Sequence, residues 1–492
     1  MSYTKKAVRG FTIVFIVNIL AAFLGYLIRI VLARNLTVAE YGLFFAVFTL
    51  INFLAIFNNL GLGQALVKYI PEFLLKKKFN NIKSAVITAL GTTLITIIII
   101  GALLFVFSGF LAENYFKTSL AAPVLLPFIL VLLLSNLRSL LRNVYQAFQR
   151  MTTYALMYFA ENSLILVLLL CVFAFKKNIF LAIYSYITVY ALIIIIFFLL
   201  LFRVFNLFKH KVFITKELVK KLFKFGIPIM LGSVGSIIIL YTDTLILTYF
   251  KSLEEVAVYN VVVPTAMMLT FFAKSISTVI FPMASELVAR KKKKYLEQGL
   301  TMLEKYSFII IIPAAFMILA FSKLILNLMF GAQYSTGAVA MQILVVGMIF
   351  LLIYNINSTI FASIGKPEVG TKILLQGALI NFVLNLIIIP YIGMLGAAIT
   401  SLMTYAYVAL VSVFKLRKFI HVKMPWLNWI KIFVSGVIML GVMLFLKSLL
   451  FMNPYLEATI LCVIAGIVYA VLIILLKIVD LKELRGLVNQ II

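Results

Sequence analysis

The sequence predicts an all-α polytopic membrane protein. About fourteen transmembrane helices are expected, as two pseudo-symmetric six-helix lobes plus a C-terminal helix pair, with both termini cytoplasmic. Three observations carry this. Of 492 residues, 65% are hydrophobic and 12% charged, with mean hydropathy +1.18. A water-soluble domain lacks the polar side chains to cover so much apolar surface. Apolar runs of about 20 residues, the length that crosses a bilayer, recur along the whole chain. Finally, one helix–turn–helix pattern occurs twice, at residues 26–45 (YLIRIVLARNLTVAEYGLFF) and 241–260 (YTDTLILTYFKSLEEVAVYN).

In order, the apolar runs lie near 11–33, 39–62, 84–108, 121–146, 152–176 and 179–203, then 223–250, 257–284, 303–330, 337–363, 369–390 and 394–415, and last 427–450 and 455–477. The first follows MSYTKKAVRG but is too long for a signal-peptide core, so it reads as a retained helix. The lobes are therefore expected at 1–208 and 226–417, joined by a cytoplasmic connector at 209–225. The helix pair and a cytoplasmic tail take 418–492.

The net charge of +28, from 43 Lys and Arg against 15 Asp and Glu, would point to nucleic acid in a soluble protein. Here the bases fall in alternate connections, such as Lys76–Lys78, Arg203–Lys224 and Arg290–Lys294, as the positive-inside rule requires. Their expected partners are anionic lipid surfaces, with no nucleic acid. Cys171 and Cys462 lie inside apolar runs and imply neither a disulfide framework nor a metal cluster.

In the connector, KHKVFITKELVKKLFKF, Leu218, Leu222 and Phe225 recur at helical spacing opposite lysines. This predicts a basic amphipathic helix on the membrane surface, capped by Thr215 and ended by Gly226 and Pro228. The two hairpins share a further feature. Thr37-x-x-Glu40 and Ser252-x-x-Glu255 are capping-box spacings, each just before an apolar run. Repeats of six spans keep one orientation, and transporters built so place their site between the repeats near the membrane midplane.

Ionisable residues within spans are costly and mark function. Lys274 lies about 15 Å from its span end, too deep for easy snorkelling, and reads as a cavity cation or a partner of Asp243 or Glu161. Arg29 lines the cavity or reaches the outer interface. Asp243, near its position in the repeat, is expected to pair with Arg29 as a gate or with Lys274. Arg138 and Arg142 share one helix face. They read either as a phosphate-binding pair with Glu161 in reach or as interface anchors. Asn355, Asn357, Asn381 and Asn385 are suited to sugar hydroxyls or to joining helices.

The stretches LARNLTVAEYGLFFAVFTL…GLGQALVKYIPE (32–72), LFKFGIPIMLGSVGSIIILYTDTLIL (222–247) and FFAKSISTVIFPMASEL (271–287) resemble the polysaccharide (oligosaccharide) flippase family. That family belongs to the multidrug/oligosaccharidyl-lipid/polysaccharide exporter superfamily. The resemblance implies a V-shaped pair of lobes, alternating access and a glycan on a polyprenyl (di)phosphate as substrate. It also implies a place in the cell membrane, in cell-surface polysaccharide or glycoconjugate synthesis, with glycosyltransferases of the same pathway as partners. The last helix pair resembles the fourteen-helix branch that includes lipid II flippases, where it helps form a lipid-facing groove.

No G-x-x-x-x-G-K-[ST] loop is present, so no nucleotide cofactor is expected, and the membrane potential or a coupled proton or sodium ion is the expected drive. Two rivals are set aside on the residues. A multidrug cation antiporter needs cavity acids without basic partners, whereas bases match or outnumber acids here. A glycan polymerase or ligase needs a large outer loop or an acidic metal motif. The sequence shows no catalytic residues and no metal ligands.

Overall fold

The computed structural model describes residues 3–270, 284–290, 292–420, 426–449 and 453–479, and among these the ordered elements are helical. By packing, the chain divides into two compact units, Met1–Asn260 and Val261–Ile492.

In the first unit, α1 (Tyr3–Asn35) and α2 (Val38–Leu54) meet at a two-residue corner. The Thr37 Oγ1 accepts from the Glu40 N–H at 3.2 Å, and the Glu40 carboxylate accepts from the Thr37 N–H at 3.0 Å. This is the expected capping box, and it satisfies two orphan amides of the helix start. The second hairpin repeats the corner, with the Ser252 Oγ accepting from the Glu255 N–H at 3.4 Å.

The second apolar run is not one helix. After α2 the chain passes a 3-10 turn at Ala55–Phe57 and then Leu60 and Gly61, with φ of +48° and +76°, before α3 (Leu62–Leu75) begins. Local polar groups hold this break. Asn59 Oδ1 accepts from the Gly61 N–H at 3.0 Å, and the Thr96 hydroxyl donates to the Asn58 carbonyl. The unit continues with α4 (Phe79–Val106), α5 (Ala121–Ala147), α6 (Met151–Phe175), α7 (Ile179–Leu201), α8 (Lys216–Phe250) and the start of α9 (Leu253–Ala266).

The connector corrects an expectation. Thr215 does cap a helix, its Oγ1 accepting from the Leu218 N–H at 3.2 Å. That helix then runs without interruption through Gly226 and Pro228 to Phe250 as α8. Gly226 serves close packing, not termination. A Cβ there would stand 2.8 Å from the Leu60 carbonyl oxygen, and one on Gly61 would stand 2.0 Å from the Gly226 carbonyl oxygen. The connector lysines are also partly engaged. Lys221 pairs with Glu72 at 3.1 Å, and the Lys76 and Lys221 ammonium groups hold the Glu72 carboxyl below the ordinary carboxylate range. Because α8 packs on α2, α3 and α4, the packing boundary falls after Asn260. The lobes expected at 1–208 and 226–417 follow the sequence repeat, a different division from this packing boundary.

The second unit holds the rest of α9, then α10 (Lys293–Phe330), α11 (Ala338–Ser363), α12 (Pro367–Arg417), α13 (Trp426–Leu449) and α14 (Pro454–Leu475). Its core includes Phe308, stacked on Trp429 with centroids 4.7 Å apart, and Tyr469, whose hydroxyl donates to the Ile309 carbonyl at 3.0 Å. Among the described residues, twelve helices are long and apolar enough to cross a membrane. The 51-residue α12 covers two expected spans, broken at Gly393, where φ is +57°. The expected span 257–284 falls partly outside the described residues. The all-α, multi-pass architecture is as expected.

Candidate functional site

Three of the expected site residues line one cavity of about 290 Å³ in the first unit. Arg29 comes from α1, and Arg138 and Arg142 come from α5. Phe45 and Asn52 of α2, Tyr158 and Glu161 of α6, and Tyr186 and Tyr190 of α7 complete much of the wall. Helical spacing explains the convergence. Arg138 and Arg142 are four apart, as are Tyr186 and Tyr190, so each pair projects from one face.

Each arginine lies on an aromatic ring. The guanidinium carbon of Arg29 is 4.4 Å from the Phe45 centroid, and that of Arg138 is 4.6 Å from Tyr190. Arg142 lies 4.5 Å from Tyr154 and 5.1 Å from Tyr158, and it donates to the Tyr154 hydroxyl at 2.8 Å. Ring faces attract cations, and guanidinium is weakly hydrated, so this is how an arginine stays charged where water is scarce.

Arg138 also forms an ion pair with Glu161, as the sequence allowed, and the two side chains are 15% and 6% exposed. Among the described residues of the wall, one carboxylate thus answers three guanidiniums, and their sum is net positive. An anion with two neighbouring charges, such as a diphosphate, meets this field. A cation is repelled.

No direct ion pair between Arg29 and Asp243 is found among the described residues. Arg29 donates to the Asn260 carbonyl at 3.1 Å, and the Tyr259 hydroxyl donates to Asp243 Oδ2 at 2.6 Å. The adjacent residues Tyr259 and Asn260 of α9 therefore stand between the two. Asn260 also reaches Thr244 Oγ1 at 3.4 Å. Asp243 is buried at 5% exposure and is not in the cavity wall. Lys274 lies outside the described residues.

Of the asparagines weighed for sugar binding, Asn357 joins α11 to α12, and Asn381 and Asn385 take part in a polar cluster within α12. Asn357 donates to Ser412 Oγ at 2.9 Å, Asn385 to Asn381 Oδ1 at 3.1 Å, and the Thr400 hydroxyl donates to Asn385. What the sequence reading missed is the aromatic lining. Its signal was present in Tyr154-x-x-x-Tyr158 and Tyr186-x-x-x-Tyr190, tyrosines repeated at helical spacing inside apolar runs.

The family model described as polysaccharide biosynthesis protein matches residues 7–288, more than half of the chain. The chain belongs to the polysaccharide biosynthesis protein family. The MatE family model matches residues 228–387. An uncharacterized membrane protein of Methanocaldococcus jannaschii is 32% identical over the whole of both chains. A probable low-salt glycan biosynthesis flippase of Haloferax volcanii is 24% identical over 55% of this chain and 57% of its own. Among solved structures, the lipid II flippase MurJ in an inward closed conformation matches with TM-score 0.76 and 19% identity, covering 93% of this chain and 97% of that one. This member of the polysaccharide biosynthesis protein family is therefore a multi-pass membrane protein, with a fold like that of the lipid II flippase structure.

Proposed function

We propose that the protein carries a glycan linked to a polyprenyl phosphate or diphosphate from the cytoplasmic to the outer leaflet by alternating access. The observation that carries this is the cavity wall itself: three ring-stacked arginines against one carboxylate. The cations replace the hydration that a phosphate loses on leaving water, which is the main cost of moving it through a bilayer. The tyrosine faces offer surfaces for the apolar faces of sugar rings. The named glycan flippase among the relatives supports the same substrate class.

Lys274 is proposed as a further cavity cation, and Arg29 with Asp243 as a gate in which α9 is the intermediary. Both termini are proposed to be cytoplasmic, and glycosyltransferases of the same pathway are the proposed partners. Export of two negative charges is favoured by an inside-negative potential, by roughly 4–5 kcal/mol at about 100 mV. Coupling to that potential, or to a proton or sodium ion, is the proposed drive. No catalytic role is proposed.

The test is reconstitution into vesicles with a labelled polyprenyl-diphosphate oligosaccharide. Imposing a potential that is negative on the donor side is expected to speed translocation several-fold, and reversing it to slow translocation. Indifference to the potential contradicts the electrostatic drive. Export of a cationic dye in place of the glycolipid supports the multidrug antiporter instead.

A further inference from the structure

Arg138 and Arg142 also form one wall of a second cavity, of about 340 Å³, in the first unit. Its other walls are unlike those of the aromatic chamber. Asn59 comes from the break between α2 and α3, Gln64 from the first turn of α3, Ser139 and Asn143 from α5, and Tyr154 from α6. Among the described residues, no aliphatic side chain lines it. Interrupted helices among membrane spans persist where their backbone lines a polar cavity, and in transporters such interruptions mark binding sites. Here the interruption carries Asn59 to the cavity and places Gly63 and Gln64 on the first turn of α3. Gly63 makes room for an amide: a Cβ there would stand 2.2 Å from the present position of Asn143 Nδ2.

We propose that this amide chamber is the subsite for the sugar next to the phosphate, with the two arginines as the partition between sugar and anionic linkage. The assignment rests on the flippase reading above. Carboxamides and a hydroxyl supply both donors and acceptors, as sugar hydroxyl and acetamido groups require, and they carry no charge. Among the described residues the chamber contains no acid, so a cationic headgroup gains nothing from it. Selectivity then arises in two places. The arginines take any lipid phosphate, while the amides distinguish a glycosylated carrier from a bare one.

The experiment measures binding to the full chain in nanodiscs with two probes. One is a short-chain polyprenyl diphosphate bearing a single N-acetylhexosamine, and the other is the same lipid diphosphate without sugar. Wild type is expected to bind the glycosylated probe about tenfold more tightly than the bare one. The Gln64→Leu/Asn143→Leu variant is expected to lose that preference and to keep its affinity for the bare probe. Gly63→Ala, which displaces the Asn143 amide without removing it, is expected to lower the preference in the same direction. Free N-acetylhexosamine, which lacks the linkage to the arginines, is expected to bind far more weakly than the glycosylated probe. If both variants keep the preference while Arg142→Gln weakens both probes, the flippase reading stands and the amide subsite is overturned. If wild type binds neither probe, the flippase reading itself fails. Free sugar binding as tightly as the lipid-linked probe also overturns the assignment.

Discussion

Arg138→Gln alone is expected to destabilise the protein by about 3–5 kcal/mol, and the double substitution Arg138→Gln/Glu161→Gln to recover most of that loss. The single change strands the Glu161 carboxylate, 6% exposed, with no ion-pair partner. The double change leaves two neutral amides that can hydrogen-bond to each other. Translocation follows a different pattern, because both variants lose a cavity cation and both are expected to be slow. Thermal unfolding in detergent and vesicle transport on the same preparations separate the two effects. A double variant that regains transport along with stability would make Arg138 a purely structural residue.

Gly42→Ala is the second large effect. A Cβ on Gly42 would stand 1.9 Å from the carbonyl oxygen of Leu253 and 3.3 Å from the Ala257 nitrogen. These are backbone atoms and cannot rotate aside, so α2 and α9 must part. Overpacking of this kind costs about 1–3 kcal/mol or more, and here it falls between the two capped hairpin corners. Loss of folded protein, or a melting temperature lowered by several degrees, is expected. Gly91→Ala on α4 is the control, since nothing lies within 4 Å of a Cβ there. That change is expected to be neutral or to stabilise by up to about 1 kcal/mol. Equal melting of both variants would contradict the close approach of α2 and α9.

Both hairpin corners were legible because a capping box is local: Thr37 with Glu40, and Ser252 with Glu255, satisfy amides within one turn. The arginine pair was legible for the same reason, since spacing of four fixes a shared face. What spacing does not specify is which neighbouring helix that face meets. The rings over Arg29, Arg138 and Arg142 come from α2, α6 and α7, and only packing brings them together. Two glycines show the same limit. Gly226 beside Pro228 reads as a helix stop, yet α8 runs through it because its role is to let the backbone of Leu60 and Gly61 approach. Gly61, in an Asn-Asn-Leu-Gly run inside an apparent span, marks a true break. Hydropathy averages across that break, so the amide chamber behind it stayed hidden.

The most direct test of the central claim, that the cavity arginines carry an anionic linkage, is sided translocation of the labelled polyprenyl-diphosphate oligosaccharide by wild type and Arg142→Gln. Arg142 is the cleaner probe because it has no carboxylate partner among the described ion pairs, so its loss strands no charge. A hydrogen bond to a charged group contributes about 1.5–3 kcal/mol. The variant is therefore expected to fold normally and to translocate roughly ten- to a hundredfold more slowly. A folded variant that translocates at the wild-type rate would contradict the account.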